Sequence, residues 1–298
     1  MFDILDLYQA KSVDDAIEAL SRDPRALLIA GGTDLLLKIR AGEYAERRLV
    51  SIHALDELIG IESLPDGSLV IKACTSFSAI AASPRIRQAL PALAEAADLV
   101  GGPQIRHVAT IGGNLCNGAA SADSAPLLLV YNAIVELKDE SGAVEAALRD
   151  FYTGPGKTIR KPSHILTAIK IRKTDAEGLS AHYIKFGIRN TMEIAALSCA
   201  AGVRLSGDRR TIEELRLAFG VAAPTPLRCP HTEREATGAP LSAKTLERIG
   251  EGALGELSPR DSWRASKTFR RQLIRELSGR AVRAAAEKAG GVFDAEDH

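Results

Sequence analysis

Apolar residues recur along this chain at two spacings, and the points where one spacing replaces the other divide it into elements. Val13, Ala16, Ile17 and Leu20 fall on one helical face, and Ser12 ahead of Asp14 and Asp15 supplies a start signal, so a helix is predicted from Ser12 to Leu20. The apolar run Leu27 to Ala30 reads as a short buried strand, Leu35 to Arg40 as a helix, and Arg47 to Ile52 as a strand. These make a small β-α-β unit ending near residue 55.

A second stretch places predicted strands at Leu58 to Glu62 and Leu69 to Ala73, either side of the turn Pro65-Asp66-Gly67. Ser76 to Ala82 and Arg85 to Val100 carry short helices, broken where Pro84 and Pro91 remove backbone donors. A helix near Ser124 to Val130 and strands at Ala133 to Lys138 and Ile165 to Ile171 complete this stretch. The remainder opens with Ala181 to Phe186 and Ala195 to Leu205, both strand-like or long and buried, joined by the charged turn Gly187 to Glu193. Thr211 to Phe219 fits a strand or a helix, Val221 to Pro230 is proline-rich and extended, and helices near Ser242 to Leu254 and Ser266 to Ala289 follow. In the last helix Phe269, Leu273 and Leu277 form a stripe expected to face the core. Strands followed by helices, without strict alternation, favour an α+β fold. The pattern divides the chain into residues 1–56, 57–175 and 176–298.

Two glycine-bearing turns stand where apolar runs give way to small and polar residues: Ala30-Gly31-Gly32-Thr33-Asp34 and Ala109-Thr110-Ile111-Gly112-Gly113-Asn114. Paired glycines remove Cβ atoms, permit positive φ and let backbone N–H groups converge on an anion. One Gly-Gly pair is an ordinary tight turn. Two in one chain are placed to hold opposite sides of a diphosphate, which points to a dinucleotide cofactor, although neither has the G-x-G-x-x-G spacing of a Rossmann turn.

Composition narrows the field. The 298 residues are 46% hydrophobic and 26% charged, as in an ordinary globular protein. The 38 basic residues balance the 38 acidic ones, which argues against nucleic acid as the main partner. Cys74, Cys116, Cys199 and Cys229 are scattered, with no C-x-x-C, so neither a metal or iron–sulfur site built by this chain nor a disulfide framework is expected. Met1 to Asp6 has acidic residues where a signal peptide is basic, and no apolar stretch reaches membrane-spanning length, so a cytoplasmic setting is expected.

Leu28 to Leu35, Gln104-Ile105-Arg106 and Ala109 to Asn117 together resemble the FAD-binding medium subunit of the molybdenum hydroxylases, the family of carbon monoxide dehydrogenase, xanthine dehydrogenase and 4-hydroxybenzoyl-CoA reductase. Ser121-Ala122-Asp123, Lys185-Phe186-Gly187 with Arg189, and Arg264-Ala265-Ser266 with Phe269-Arg270-Arg271 extend the resemblance over nearly the whole chain. It implies a vanillyl-alcohol-oxidase/PCMH-type FAD-binding fold: two α+β subdomains with FAD between them, and a C-terminal domain with an antiparallel sheet and helices. It also implies an electron-transfer role. Electrons pass from a molybdenum centre through two [2Fe–2S] clusters to FAD on this chain, then to an external acceptor such as NAD, a quinone or oxygen. Molybdopterin would sit on a large partner subunit and the clusters on a small one. The substrate of such a complex is selected on the molybdenum subunit. The alternative is a self-contained FAD-dependent oxidase of the vanillyl-alcohol type, for which the region after residue 175 is short.

Carried over residue by residue, the resemblance implies that Ala30, Gly31, Gly32, Thr33 and Asp34 form the first diphosphate loop, with Leu28 and Ile29 lining the cofactor. Thr110, Gly113, Asn114 and Cys116 form the second, Cys116 by packing alone. Asp123 accepts hydrogen bonds from FAD hydroxyls or caps the helix at Ser124-Ala125-Pro126, and Lys185 lies beside the flavin ring or is an exposed strand residue. His107 stands where the family often has asparagine, and the cysteine-rich insertion for an extra [4Fe–4S] cluster that members like 4-hydroxybenzoyl-CoA reductase carry is absent. His53, His164, His182 and His231 have no carboxylate or cysteine at telling spacing and read as structural. Arg264, Lys267, Arg271 and Arg275 form a solvated face or a docking face for the iron–sulfur subunit. No acid–base or nucleophilic set is visible.

Overall fold

Residues 3–294 are described in a computed structural model. Met1 and Phe2, from the stretch read for a leader, and residues 295–298, from the end of the third expected unit, lie outside the described residues.

The chain opens with β1 (Ile4–Gln9), α1 (Val13–Arg22), β2 (Leu27–Ile29), α2 (Leu35–Arg40) and β3 (Arg47–Ser51), the strands forming a parallel sheet in the order β1-β3-β2. The Ser12 hydroxyl accepts from the Asp15 N–H and starts α1. That helix buries Val13, Ala16, Ile17 and Leu20 against Val50, Ile52, Leu55 and Leu58. Strand β1 was not expected. Five of its six residues are exposed, so burial imposes no alternation on it.

The middle of the chain holds β4 (Ile61–Ser63), β5 (Leu69–Lys72), α3 (Phe77–Ala82), α4 (Pro84–Ala89), α5 (Pro91–Asp98), α6 (Pro103–Val108), α7 (Ile111–Cys116), α8 (Ala125–Val130), β6 (Ile134–Asp139), β7 (Gly142–Ala147), a hairpin of β8 (Tyr152–Gly154) and β9 (Lys157–Thr158), β10 (Ile165–Ile171) and α9 (Lys173–Ala176). Five strands make an antiparallel sheet in the order β4-β5-β10-β6-β7. A 3-10 turn, Asp56–Leu58, takes the start of the strand expected at Leu58 to Glu62. The second glycine segment, read as a turn, is the start of α7: Thr110 is the N-cap and its hydroxyl accepts from the Gly113 N–H at 3.2 Å.

The last part comprises β11 (Ser180–Phe186), β12 (Leu197–Leu205), β13 (Ile212–Gly220), β14 (Leu227–Arg228), α10 (Pro230–Ala236), α11 (Ala243–Glu256) and α12 (Lys267–Lys288), with the strands antiparallel in chain order. Strand β13 settles the strand-or-helix choice at Thr211 to Phe219. In β12 all seven residues from Leu197 to Val203 are buried, because α8 covers one face and α12 the other. At Gly202 a Cβ would lie 2.6 Å from Val130 Cγ1, so the glycine admits the α8 end to the sheet. Leu273 and Leu277 of α12 are buried as expected. Phe269 is not: it is 42% exposed and lies edge-on to Phe186. Arg270 is buried instead. Its Nε donates to the Ala196 carbonyl at 2.9 Å and its Nη2 to Ser262 Oγ at 2.7 Å.

An α+β architecture of helices and mainly antiparallel sheets is thus observed. Two histidines read as lacking a carboxylate partner have one: His164 Nε2 lies 3.0 Å from Asp139 Oδ2, brought near by β6–β10 pairing, and His231 Nδ1 lies 3.7 Å from Glu235 Oε2, one helical turn on. Among the described residues no helix is long and apolar enough to cross a membrane.

Candidate functional site

The first glycine segment follows β2 and the second follows α6, and the fold brings them into contact. A Cβ on Gly31 would sit 1.8 Å from the Val108 carbonyl oxygen and 3.1 Å from Ala109 Cα, so only glycine allows the two backbones to approach this closely. Gly32 has φ +70°, which re-aims the chain into α2.

A cavity of about 640 Å³ opens beside this contact. Leu28, Ile29 and the segment from Ala30 to Asp34 line one side. Thr110, Gly113, Asn114, Cys116 and Asp123 line another, and Met192, Glu193 and Ile194 close it from the β11–β12 loop. Its size is that of a cofactor site rather than a surface dimple.

The two segments do different work. From Ala30 to Leu35, six consecutive backbone N–H groups have no acceptor among the described residues. Such a run is a nest for an anion. Among the amides of the second segment only that of Thr110 has no acceptor among the described residues. Ile111 N–H bonds the Thr75 carbonyl (3.1 Å), Gly112 N–H that of Ala73 (2.9 Å), Gly113 N–H the Thr110 hydroxyl, and Asn114 N–H the Thr110 carbonyl (3.0 Å). Most amides of the second segment are therefore spent within the protein, and what it offers the cavity is the Thr110 N–H together with side chains. Asn114 Oδ1 accepts from Ser124 Oγ at 2.7 Å, leaving its NH₂ with no acceptor among the described residues. The glycines also separate. Gly112 is packed where a Cβ would lie 2.7 Å from Ala73 Cβ, whereas Gly113 meets only the Thr110 hydroxyl.

Asp123 caps no helix, since the α8 N-cap is Ser124 and makes no side-chain cap bond. Its Oδ1 accepts from Tyr183 Oη at 3.0 Å and its Oδ2 from Lys185 Nζ at 2.8 Å, both from β11. Lys185 also donates to the Leu99 carbonyl at 2.9 Å and is not among the cavity-lining residues. Burial pushes the Asp123 carboxyl up, with the Lys185 charge opposing. Burial likewise raises Asp34 against the pull of Lys38. The Cys116 thiol is pushed up to about 11 by burial, so it packs as a protonated, unreactive group at neutral pH. Asn117 belongs to the second motif but was given no role, and three further polar wall residues, Lys38, Tyr44 and Arg160, were not singled out from the sequence. Lys38 was the most findable, one turn beyond Asp34 on α2. Its Nζ donates to Asn117 Oδ1 at 2.9 Å and ties α2 to the end of α7.

A nest of free amides beside a cavity lined by both apolar and polar residues suits a ligand with a charged diphosphate and flat ring systems, and the residues present fit a flavin dinucleotide. Comparison with known proteins agrees. The family model described as FAD binding domain in molybdopterin dehydrogenase matches residues 2–173, and that of the CO dehydrogenase flavoprotein C-terminal domain matches residues 182–285. The chain is 44% identical to the putative xanthine dehydrogenase FAD-binding subunit XdhB of Escherichia coli over 98% of this chain and 99% of that one. It is 28% identical to the carbon monoxide dehydrogenase medium chain of Hydrogenophaga pseudoflava, over 92% and 94% respectively. A solved structure of the carbon monoxide dehydrogenase from Hydrogenophaga pseudoflava, lacking the Mo-pyranopterin moiety, superposes with a TM-score of 0.91 at 26% identity, covering 97% of this chain and 99% of that one. These relatives set aside the self-contained oxidase. The chain belongs to the FAD-binding, medium-subunit family of the molybdopterin dehydrogenases.

Proposed function

We propose that this chain seats FAD in the cavity and passes electrons between [2Fe–2S] clusters on an iron–sulfur small subunit and an external acceptor, while a molybdenum-binding large subunit oxidises the substrate. Bound FAD supplies the exchange between one- and two-electron transfer. In this reading the Ala30, Gly31, Gly32, Thr33 and Asp34 amides hold the diphosphate. Leu28 and Ile29 pack on the ligand. The Thr110 hydroxyl and Asn114 amide bond it from across the cavity, Gly113 leaves room for it, and Cys116 packs against it. Asp123 contacts its hydroxyls, and Lys185 acts through Asp123 by fixing that carboxylate. Three units, residues 1–56, 57–175 and 176–298, and a cytoplasmic setting belong to the same reading. Separate apolar cores under α1 and between β12 and α12 support the division.

The observation that carries the proposal is the run of six unpartnered amides on the wall of the cavity. The test is co-purification of the complex with flavin, iron and molybdenum assayed together, and titration of the isolated chain with FAD. Equimolar flavin, with iron and molybdenum confined to partner chains, is expected. Protein that stays colourless after FAD titration would refute it.

A further inference from the structure

Among the described residues only two lysine or arginine side chains, Lys38 and Arg160, line the cavity, against the carboxylates Asp34, Asp123 and Glu193. The acids are not equally free. Asp123 is paired with Lys185, and Glu193 accepts from the Arg189 N–H. Lys38 faces Asp34, whose carboxyl it pulls down, and is tethered to Asn117. Neither cation has a carboxylate within ion-pair distance among the described residues, but the Lys38 ammonium is bonded to another side chain, whereas the guanidinium of Arg160, from the segment between β9 and β10, bonds only backbone carbonyls.

Arg160 is held in place by its own segment. Its backbone N–H donates to Thr158 Oγ1 at 3.3 Å, and its Nη1 donates to the carbonyls of Lys161 (3.2 Å), Pro162 (3.4 Å) and His164 (2.9 Å). The β8–β9 hairpin before it is pinned to the chain after α7 by the Gly156 N–H on the Gly118 carbonyl at 3.0 Å. Only Nη1 is engaged. A guanidinium has five N–H donors, so Nε and Nη2 are left without a protein acceptor. The group also lies close enough to Cys116 to oppose the burial that raises that thiol. A half-buried, pre-oriented cation with unused donors at the wall of an anion site is complementary to a phosphoryl group. The amide nest offers only partial charges and has Asp34 within it, so the formal positive charge offered to a diphosphate comes from Arg160 and from Lys38, whose charge Asp34 partly offsets.

We propose that Arg160 is a phosphate-binding residue of the FAD site, its Nε and Nη2 donating to the diphosphate. This rests on the reading of the cavity as the FAD site. The test is titration of apo-protein with FAD, followed by flavin fluorescence, for the wild type, Arg160→Gln and Arg160→Lys, with ADP and adenosine as competitors. Arg160→Gln is expected to raise the FAD Kd about tenfold or more, raise the ADP inhibition constant by a similar factor, and leave adenosine unchanged. Its FAD affinity should also vary less with NaCl than that of the wild type. Arg160→Lys, which keeps the charge and loses the fork, should fall between the two. An unchanged FAD Kd in both variants overturns the proposal. So does an equal loss for adenosine and ADP, which would mean contact with the ring or a distorted segment. A wild-type chain that takes up no FAD overturns the proposed function itself.

Discussion

Lys185 and Asp123 have the environment in which a single charge matters most. Each side chain is 10% exposed, and the pair joins β11 to the wall of the flavin cavity. Removing one partner of such a pair costs about 3–5 kcal/mol, because the other charge stays buried. The pH dependence identifies the mechanism. Burial already holds the Asp123 carboxyl above the usual range, and Lys185 is the first influence restraining it. In Lys185→Met that restraint is lost and the folded-state pKa rises further. A carboxyl raised on folding binds its proton more tightly when folded, so stability is retained below the unfolded pKa and lost as pH rises toward the folded value. Thermal melts should therefore find Lys185→Met close to the wild type near pH 4 and progressively less stable toward about pH 8. Adding Asp123→Asn should remove that slope, and a deficit independent of pH would contradict the account.

Among the elements, α7 turns two adjacent glycines into different parts. Gly112 presses on Ala73 at the end of β5, where a Cβ would lie 2.7 Å from Ala73 Cβ and 2.8 Å from its carbonyl oxygen. Gly112→Ala must push the helix off the sheet, an overpacking cost of about 1–3 kcal/mol. At Gly113, on the cavity wall, a Cβ would meet only the Thr110 hydroxyl, at 2.9 Å, so Gly113→Leu needs a small shift at the cap and otherwise fills the cavity. Melting and flavin-content measurements should separate them: Gly112→Ala loses thermal stability even as apo-protein, and Gly113→Leu keeps its fold and loses flavin. A Gly113→Leu protein with full flavin would remove the second segment from the site. The sequence signalled these segments as special but misjudged their form. Gly-Gly costs about 2 kcal/mol of helix propensity, so the pattern read as a turn, and the Thr110 cap and the Gly112–Ala73 packing that override it are tertiary. Strand β7 was missed for a related reason, since Gly142, Ala143 and Ala146 have low strand propensity and the pairing with β6 decides. The long, doubly buried β12 was legible because burial on both faces demands a continuous apolar run.

At the level of the whole molecule, three stretches of the chain meet at one cavity: the segment after β2, the middle of the chain with the helices after α5 and the Arg160 segment, and the β11–β12 loop. A ligand spanning them binds only when all three are assembled, so FAD should act as a staple between them. At a concentration about 100 times Kd the stabilisation is about 2.7 kcal/mol by mass action. The loop supplies a local reporter. Ile188 and Met192 are exposed, and Arg189 lies between them as a site for trypsin, while Met192, Glu193 and Ile194 form the cavity wall. The loop meets the middle of the chain through the Met192 N–H on the Gly101 carbonyl at 3.2 Å and the Met192 side chain against Gly102. Limited trypsin digestion should cut after Arg189 in apo-protein and be slowed severalfold by FAD. Arg160→Gln should need more FAD for the same protection, by the factor its Kd has risen. Protection that ignores FAD would mean that the loop does not close on the ligand, and the cavity would then be a cleft between two parts of the chain with the third uninvolved.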